Sequence, residues 1–426
     1  MEATLISPDH VAALHQQGVV LSNQGRLEEA LIAFERAAAL QPGNSELWAR
    51  CAFALQRLGR FADAFDRSNH ALAIEPGHVN ARINRAVTLY FLRRWSDALA
   101  DFAEVLRARP GEAGARYNSS LIHLAMGDYE AGWAEYEARW VMSDVPPESI
   151  GSAQPRWQGE SGGTVLLWGE QGLGDILQFC RYAPPASRLS KVILQVPQPL
   201  LRLVRNMPGV TAVIAEHSNK PLHDWQCPLM SLPRVFQTRI DTIPADMPYL
   251  HADPGLVAQW SERVSRLPGL RVGLAWAGNS RLTDAAANAA DRRRSLTPAQ
   301  IAPLTHVPGV TVVSLQKGAT ELLPPEIPIC DWTDELTDLA DTAALIMALD
   351  LVISVDTSVA HLAGALGRPV WIMNRFDACW RWLDGRDDSP WYPTARLFRQ
   401  LVPGDWLNVI DRVAGALRNV APVRYR

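Results

Sequence analysis

The stretch SVDTSVAHLAGALGRPVW, Ser354–Trp371, combines the end of a strand, a turn and the start of a helix. An apolar run ends at Asp356, and Thr357 and Ser358 then cap a helix that carries His361. Backbone N–H groups and hydroxyls at such a helix start bind phosphate well. We therefore expect this turn to bind an anionic ligand, with His361 either touching that ligand or packed inside the helix.

The pattern D-T-S-x-x-H-L-A-x-A-x-G-x-P in this stretch resembles the donor-site motif of heptosyltransferase-like glycosyltransferases of the GT-B fold. That family usually has glycine where this chain has Ser358. The resemblance implies two Rossmann-like lobes, with the sugar nucleotide bound on the C-terminal lobe. It assigns Asp356, Thr357, Ser358 and His361 to donor binding.

A second glycine-rich turn lies in LLWGEQGLGDILQFCRY, Leu166–Tyr182, where Gly169, Gly172, Gly174 and Asp175 join an apolar run to a helix. The spacing is not G-x-G-x-x-G, and an aspartate there repels an anion. In the family that the chain resembles, an aspartate at this position is the general base, so Asp175 is the predicted catalytic residue. Gly172 and Gly174 would let acceptor and donor approach the backbone closely. The alternative for Asp175 is a helix cap alone.

Two further clusters suit a leaving diphosphate. Lys317 in SLQKG follows a predicted strand and would neutralise phosphate charge, and we assign Gln316 to the donor with it. The alternative for Lys317 is a plain surface lysine. In DRRRSL, Asp291–Leu296, one of three arginines is expected over the donor, and we favour Arg294. Trp276, near the end of LRVGLAWAGN, is expected with the two glycines on the acceptor side.

An aromatic segment, Phe376–Pro393, holds Trp380, Trp382, Trp391 and Tyr392. These rings either stack on a base or sugar, or hold the two lobes together. No D-x-D motif precedes an acidic loop in the way that metal-dependent sugar transferases use one. We therefore expect no metal and no cofactor, because a lysine and a helix dipole can stabilise diphosphate departure.

The first third of the chain repeats itself every 34 residues. The positions in phase are Gly25, Gly59, Arg93 and Gly127; Ala30, Ala64, Ala98 and Gly132; Phe34, Ser68, Phe102 and Tyr136; and Pro42, Pro76 and Pro110. This resembles the tetratricopeptide repeat, whose units stack into a solenoid with a concave groove. The groove would bind a peptide or protein; the alternative is a dimerisation or spacer element. The aromatic residues Trp133, Tyr136 and Trp140 should pack on the part of the chain that comes after the repeats.

The predicted fold is a multidomain α plus α/β protein, in which an N-terminal tetratricopeptide repeat α-solenoid precedes a GT-B fold of two Rossmann-like lobes. The expected boundaries are residues 1–144 for about four repeats, 145–163 for a linker, 164–252 for the acceptor-side lobe, 253–269 for a connector and 270–426 for the donor lobe. Alternating strand-like and helix-like stretches support the two lobes.

Composition narrows the function classes. The net charge of the 426 residues is −4, which provides no overall basic field for nucleic acid. The five cysteines are far apart, as expected of reduced thiols in a cytosolic protein. We expect no signal peptide in MEATLISPDH and no membrane span, because acidic residues interrupt the apolar window Leu345–Leu366. A cytoplasmic location is expected.

The whole layout resembles bacterial flagellin-type and other protein glycosyltransferases, and it has the domain order of O-GlcNAc transferase. This implies inverting transfer from a nucleotide-sugar donor to a Ser or Thr hydroxyl of a protein acceptor, flagellin among the candidates, held by the repeats. The alternatives are transfer to a surface polysaccharide or lipid-linked glycan, a non-catalytic scaffold with a decayed GT-B module, and a sugar-nucleotide epimerase. The sequence leaves the nucleotide, the sugar and any homo-oligomer open.

Overall fold

The computed structural model describes residues 8–142, 152–278, 285–318 and 323–421. Contacts between Cα atoms divide the chain into two compact units. The first unit holds the described residues up to His123, with Glu135–Met142 and 285–289. The second holds Leu124–Ala134 and all the other described residues.

The first eight helices that precede residue 143 in the described chain form four helix–turn–helix pairs, and a short ninth helix follows them. They are α1 Pro8–Asn23, α2 Leu27–Leu40, α3 Ser45–Arg57, α4 Phe61–Ile74, α5 Val79–Phe91, α6 Trp95–Ala108, α7 Ala113–Met126, α8 Tyr129–Tyr136 and α9 Arg139–Met142. The turn inside each pair uses the left-handed region, with φ of 77° at Gly25, 78° at Gly59 and 85° at Gly127. Arg93 stands at the same position of its repeat and also has a positive φ, of 58°. The predicted 34-residue period is therefore present in the backbone.

Small residues allow the helices of a pair to touch. Ala30, Ala64 and Ala98 are fully buried. A Cβ at Gly18 would lie 2.5 Å from the Phe34 ring, so glycine is needed where α1 crosses α2.

Parallel strands of the second unit form two separate sheets. The four-stranded sheet, which we call the first lobe together with its helices, has the order β3-β2-β1-β4. Its strands are β1 Thr164–Trp168, β2 Lys191–Val196, β3 Val210–Ala215 and β4 Trp225–Pro228. Leu166 of β1 pairs with Ile193 on one side and Gln226 on the other.

The six-stranded sheet, which we call the second lobe, has the order β10-β9-β8-β5-β6-β7. Its strands are β5 Leu270–Ala275, β6 Val310–Ser314, β7 Ile329–Cys330, β8 Leu351–Val355, β9 Val370–Asn374 and β10 Ala395–Arg399. This is the strand order of a doubly wound Rossmann sheet. The residues of β8 and β9 are all buried, as expected of central strands with both faces covered.

Helices link these strands. They are α10 Leu173–Phe179, α11 Ala183–Ser187, α12 Leu201–Val204, α13 Leu232–Val235, α14 Pro254–Ser265, α15 Ala285–Arg294, α16 Pro298–Thr305, α17 Leu339–Ala348, α18 Ser358–Ala365 and α19 Trp406–Val420. A capping box starts α16, where the Thr297 side chain accepts a hydrogen bond from the Gln300 N–H. Within the described parts of the chain, no helix is both long and apolar enough to cross a membrane.

The predicted fold class is confirmed: a helical repeat region precedes two parallel α/β sheets of a GT-B-like module. In each sheet the chain changes direction once, between β1 and β4 and between β5 and β8. Ligands of open α/β sheets bind beyond the carboxyl ends of the strands at such switch points. The turns that contain Asp175 and Asp356 follow β1 and β8, so both lie at a switch point.

Candidate active site

Asp175 lies in the first turn of α10. Its Oδ2 accepts a hydrogen bond from the Gly172 backbone N–H at 2.8 Å, and Gly172 is the N-cap residue of the helix. The carboxylate therefore has the capping role that the sequence offered as the alternative to catalysis. Capping uses Oδ2 alone, and Oδ1 makes a different contact.

Arg381 of the second lobe forms an ion pair with Asp175 Oδ1 through its Nη2. It lies in the 3-10 turn Trp380–Trp382, which follows β9, and only 6% of its surface is exposed. Its Nε donates to Gln178 Oε1 at 2.8 Å. Sequence reasoning missed Arg381, although an arginine between two tryptophans inside the aromatic segment was a signal that it could have used.

Gly174 brings α10 against the start of α18. A Cβ at this position would lie 3.5 Å from Ser358 Cα and 2.8 Å from His361 Cδ2. The two helices therefore meet at their N-terminal ends, where helices carry partial positive charge. That Gly172 and Gly174 let substrates approach the backbone stays a prediction.

The start of α18 presents an open helix terminus. Thr357 is its N-cap residue, but no side-chain hydrogen bond caps the helix. The Thr357 hydroxyl instead lies 3.0 Å from Ser354 Oγ. Asp356, Thr357 and Ser358 are half-buried at the carboxyl end of β8. Because the first N–H groups of a helix have no partner within it, this terminus is suited to an anion.

Arg294 contacts the turn before α18. Its Nη1 donates to the Asp356 carbonyl at 2.9 Å, while its Nε and Nη2 donate to Asp291 Oδ1 at 3.0 and 2.9 Å. The neighbouring Arg293 instead pairs with Asp377 at 3.1 Å. The structure thus brings Arg294 to the expected donor side of the second lobe.

His361 is buried directly behind this turn. Its Nδ1 lies 2.9 Å from the Tyr392 hydroxyl, and its ring stacks on Trp382 with centroids 5.3 Å apart. Its Nε2 lies 3.8 Å from Asp356 Oδ1. Burial lowers the pKa of His361 to about 4, so the ring is neutral at pH 7. These contacts favour a packed histidine over one that touches ligand.

Gln316 and Trp276 support the turn after β5. The Gln316 Oε1 accepts hydrogen bonds from the Trp276 N–H at 2.9 Å and the Ala277 N–H at 2.8 Å. The Trp276 ring is 2% exposed and packs in the hydrophobic core of the second lobe. The Gln316 side chain therefore binds backbone N–H groups, and the Trp276 ring is shielded from solvent.

Lys317 is exposed just beyond the carboxyl end of β6, and its Nζ donates to the Leu336 carbonyl. In the sheet, β6 lies next to β5, which lies next to β8. Neighbouring strands are about 4.8 Å apart, so the ends of β6 and β8 lie about 10 Å apart on the same edge. The flexible lysine side chain spans much of that distance.

The aromatic segment packs on helices rather than into open space. Trp380 makes an edge contact with Trp133 of α8, with centroids 5.2 Å apart, and Trp133 also contacts Phe179 of α10 at 6.1 Å. The expectation that Trp133 packs on the α/β part is confirmed. Tyr136 instead packs on Tyr117 within the repeats, at 5.6 Å.

Arg181 is a second residue that sequence reasoning missed. Its buried guanidinium donates from Nη1 to the Trp391 carbonyl at 2.8 Å and from Nη2 to the Tyr249 hydroxyl at 3.0 Å. It also lies over the Tyr392 ring, 4.9 Å from the centroid. Its Nε donates locally to the Gln178 carbonyl, but Tyr249, Trp391 and Tyr392 lie far along the chain, so no local pattern reveals these contacts.

The first unit contains a pocket of about 270 Å³ between α3 and α5. The lining combines charged, amide and apolar side chains: Glu46, Ala49, Arg50, Phe53, Asn80, Ile83 and Asn84. Equivalent helices of successive repeats line it.

Among the described residues, no group of three or more His, Cys, Asp or Glu side chains is arranged to hold a metal ion. The five cysteines are free thiols.

Comparison with known proteins identifies two segments. Residues 11–44 match the tetratricopeptide repeat, and residues 336–371 match glycosyltransferase family 9 (heptosyltransferase). The chain is 32% identical to Protein FlbA of Caulobacter vibrioides over 333 residues, which are 70% of this chain and 54% of FlbA. It thus spans about half the length of FlbA.

Solved repeat structures resemble parts of the chain. The first tetratricopeptide domain of human RPAP3 is 24% identical to this chain. The match covers 31% of this chain and 98% of the RPAP3 domain, with a TM-score of 0.27. MamA from Desulfovibrio magneticus RS-1 is 21% identical, and the match covers 32% of this chain and 76% of the MamA chain, with a TM-score of 0.29.

The chain therefore combines tetratricopeptide repeats with a heptosyltransferase-like segment, as predicted. The family 9 match includes the Asp356 turn and α18.

Proposed function

We propose that this chain is a glycosyltransferase that moves a sugar from a nucleotide-sugar donor to a Ser or Thr hydroxyl of a protein acceptor. The observation that carries the proposal is the contact at Gly174, which sets the Asp175 turn of the first lobe against the Ser358 turn of the second. A carboxylate therefore lies beside an open helix N-terminus. A base and a diphosphate site next to each other are what glycosyl transfer requires.

Asp175 acts as the general base in this proposal. It accepts the proton of the acceptor hydroxyl as that oxygen attacks the anomeric carbon. The bond from the anomeric carbon to the diphosphate oxygen breaks on the opposite face, so a single displacement inverts the configuration.

The leaving diphosphate would meet positive charge from the start of α18, from Arg294 and from Lys317. Preorganised donors and cations stabilise charge that develops in a transition state. Because Lys317 now donates to the Leu336 carbonyl, it has to change rotamer to reach the diphosphate. We propose that departure needs no divalent metal.

The acceptor protein would bind the pocket between α3 and α5. Arg50 and Glu46 offer both charges there, and Phe53 offers an apolar surface. Binding at a site separate from the chemistry supplies positioning of the acceptor chain.

Two variants of one residue test the donor site. Ser358→Asp puts a carboxylate at the N-terminus of α18, which favours the helix but repels a diphosphate. Ser358→Ala is the matched control. Thermal unfolding with UDP, GDP, ADP and their sugar conjugates should show one selective stabilisation, of about 2.7 kcal/mol at ~100 times the dissociation constant. The stabilisation by that nucleotide should be kept in Ser358→Ala and lost in Ser358→Asp. A nucleotide that stabilises all three proteins equally binds elsewhere, which contradicts the donor site.

A further inference from the structure

Arg381 contacts one face of α10 at two points. Its Nη2 pairs with Asp175 Oδ1, and its Nε donates to Gln178 Oε1 at 2.8 Å. Asp175 and Gln178 are three residues apart, so they are neighbours on the helix surface. A single guanidinium from the second lobe therefore holds two polar side chains of the first.

The guanidinium itself is held in place by its surroundings. It lies 4.3 Å from the centroid of the Trp380 ring and 5.8 Å from that of Phe179. Its Nη1 lies 3.0 Å from Cys379 Sγ. Such a planar, stacked fork has few alternative positions, and a lysine cannot reproduce its two directed bonds.

The Asp175 carboxylate is thus fixed from both sides. The first lobe supplies the Gly172 N–H to Oδ2, and the second lobe supplies Arg381 to Oδ1. The first contact alone restrains one carboxylate oxygen. Both together define one orientation.

We infer that Arg381 is the positioning residue of the general base: it orients Asp175 toward the acceptor hydroxyl only while the two lobes are closed on each other. This inference rests on the proposed function. The base belongs to the first lobe and its orienting cation to the second, so opening the lobes also disorders the base.

A second ion pair joins the lobes and provides a matched control. Arg202 of α12 contacts Asp338 at 2.7 Å and Asp341 at 2.5 Å, at the start of α17. It contributes a cross-lobe arginine–carboxylate contact that does not involve Asp175. Arg202→Gln therefore weakens closure in general, whereas Arg381→Gln also frees the base.

The test is a double-mutant cycle on the full chain with the donor found by the nucleotide panel. Arg381→Gln should lower kcat about 100-fold, the usual cost of a misplaced catalytic group, with the donor KM changed less than about threefold. Arg381→Lys should recover part of the loss, and Arg202→Gln should stay within about threefold of the wild type. Asp175→Asn combined with Arg381→Gln should be no slower than Asp175→Asn alone, because Arg381 acts through Asp175.

Several outcomes overturn the inference. An unchanged kcat in Arg381→Gln, or an equal loss in Arg202→Gln, removes the orienting role. A raised donor KM at unchanged kcat makes Arg381 a donor ligand instead. If Arg381→Gln does not fold, as judged by its melting temperature, the cycle is run with Arg381→Lys, and additive losses overturn the inference. If the wild type turns over no donor at all, the proposed function fails. If the wild type is active but Arg381→Gln is unchanged, only the role of Arg381 fails, so the two failures are distinguishable.

Discussion

Gly174 of the first lobe lies so close to His361 of the second that a Cβ on the glycine would be 2.8 Å from the histidine Cδ2. His361 is buried and bonded to Tyr392, so it cannot move aside cheaply. The contact holds the N-terminal ends of α10 and α18 together. It makes position 174 a sensitive measure of how the catalytic turn and the donor turn are joined.

Gly174→Ala should therefore be destabilising by about 1–3 kcal/mol, the usual cost of overpacking, and should lower transferase activity by separating the two helices. Gly415→Ala in α19 is the matched control, because a Cβ there meets nothing within 4 Å. That variant should gain about 0.5–1 kcal/mol. Urea unfolding of both variants measures the difference, and equal stabilities would contradict the tight contact.

The buried histidine makes stability depend on pH. As the pH falls from 6.5 to about 4, an unfolded His361 takes up a proton, whereas the native one, held neutral by burial, does not. The unfolded state therefore binds more protons, and the native state loses up to about 3 kcal/mol across this window. The charged groups that act on the ring are Asp356, Arg381, Asp175 and Arg181.

Unfolding free energies at pH 6.5 and 4.5 measure this loss. His361→Gln should be less stable than the wild type at pH 6.5 but should lose less stability on acidification. The same pH slope in both proteins would assign the effect to other groups.

Arg294 and Arg293 are adjacent arginines with different partners, which makes them a matched pair. Arg294→Gln removes a cation from the Asp356 turn, so it should weaken nucleotide diphosphate binding about 10- to 100-fold, as expected for a lost charged hydrogen bond. Arg293→Gln should change it much less, because Arg293 pairs with Asp377. Isothermal titration with the selected nucleotide compares them, and a greater loss in Arg293→Gln would reverse the assignment.

The pocket between α3 and α5 should govern the protein acceptor alone. Phe53→Ala removes its aromatic surface and should raise the acceptor KM about tenfold without changing donor binding. Ile32→Ala, on an exposed position of α2, is the control and should have no effect. Transfer rates against acceptor concentration separate the two. An unchanged KM in Phe53→Ala would place the acceptor elsewhere.

Sequence alone predicted the elements whose signals are local. The 34-residue period located the turns at Gly25, Gly59 and Gly127, because each turn needs the same backbone conformation. Apolar runs in the sequence mark β1 and β2. Strands β4, β7 and β10 have weaker sequence signals, because β7 has two residues, β4 ends in proline and β10 contains two arginines.

The site could be predicted only where one turn carries it. Asp356, Thr357 and Ser358 form a continuous turn, so their placement together follows from the strand and helix around them. Arg381 lies 206 residues after Asp175 and reaches it only through the packing of two lobes. The burial of the Trp276 ring likewise depends on which face of β5 meets the core, which an apolar run does not reveal.

The most direct test of Asp175 as the general base compares Asp175→Asn with the wild type in single-turnover transfer of a labelled sugar to an acceptor protein. The near-isosteric amide cannot take up the proton. We expect transfer to fall about 10²–10⁴-fold while the nucleotide-induced shift in melting temperature is kept. Transfer at the wild-type rate by Asp175→Asn would contradict Asp175 as the general base and leave it as the cap of α10 alone.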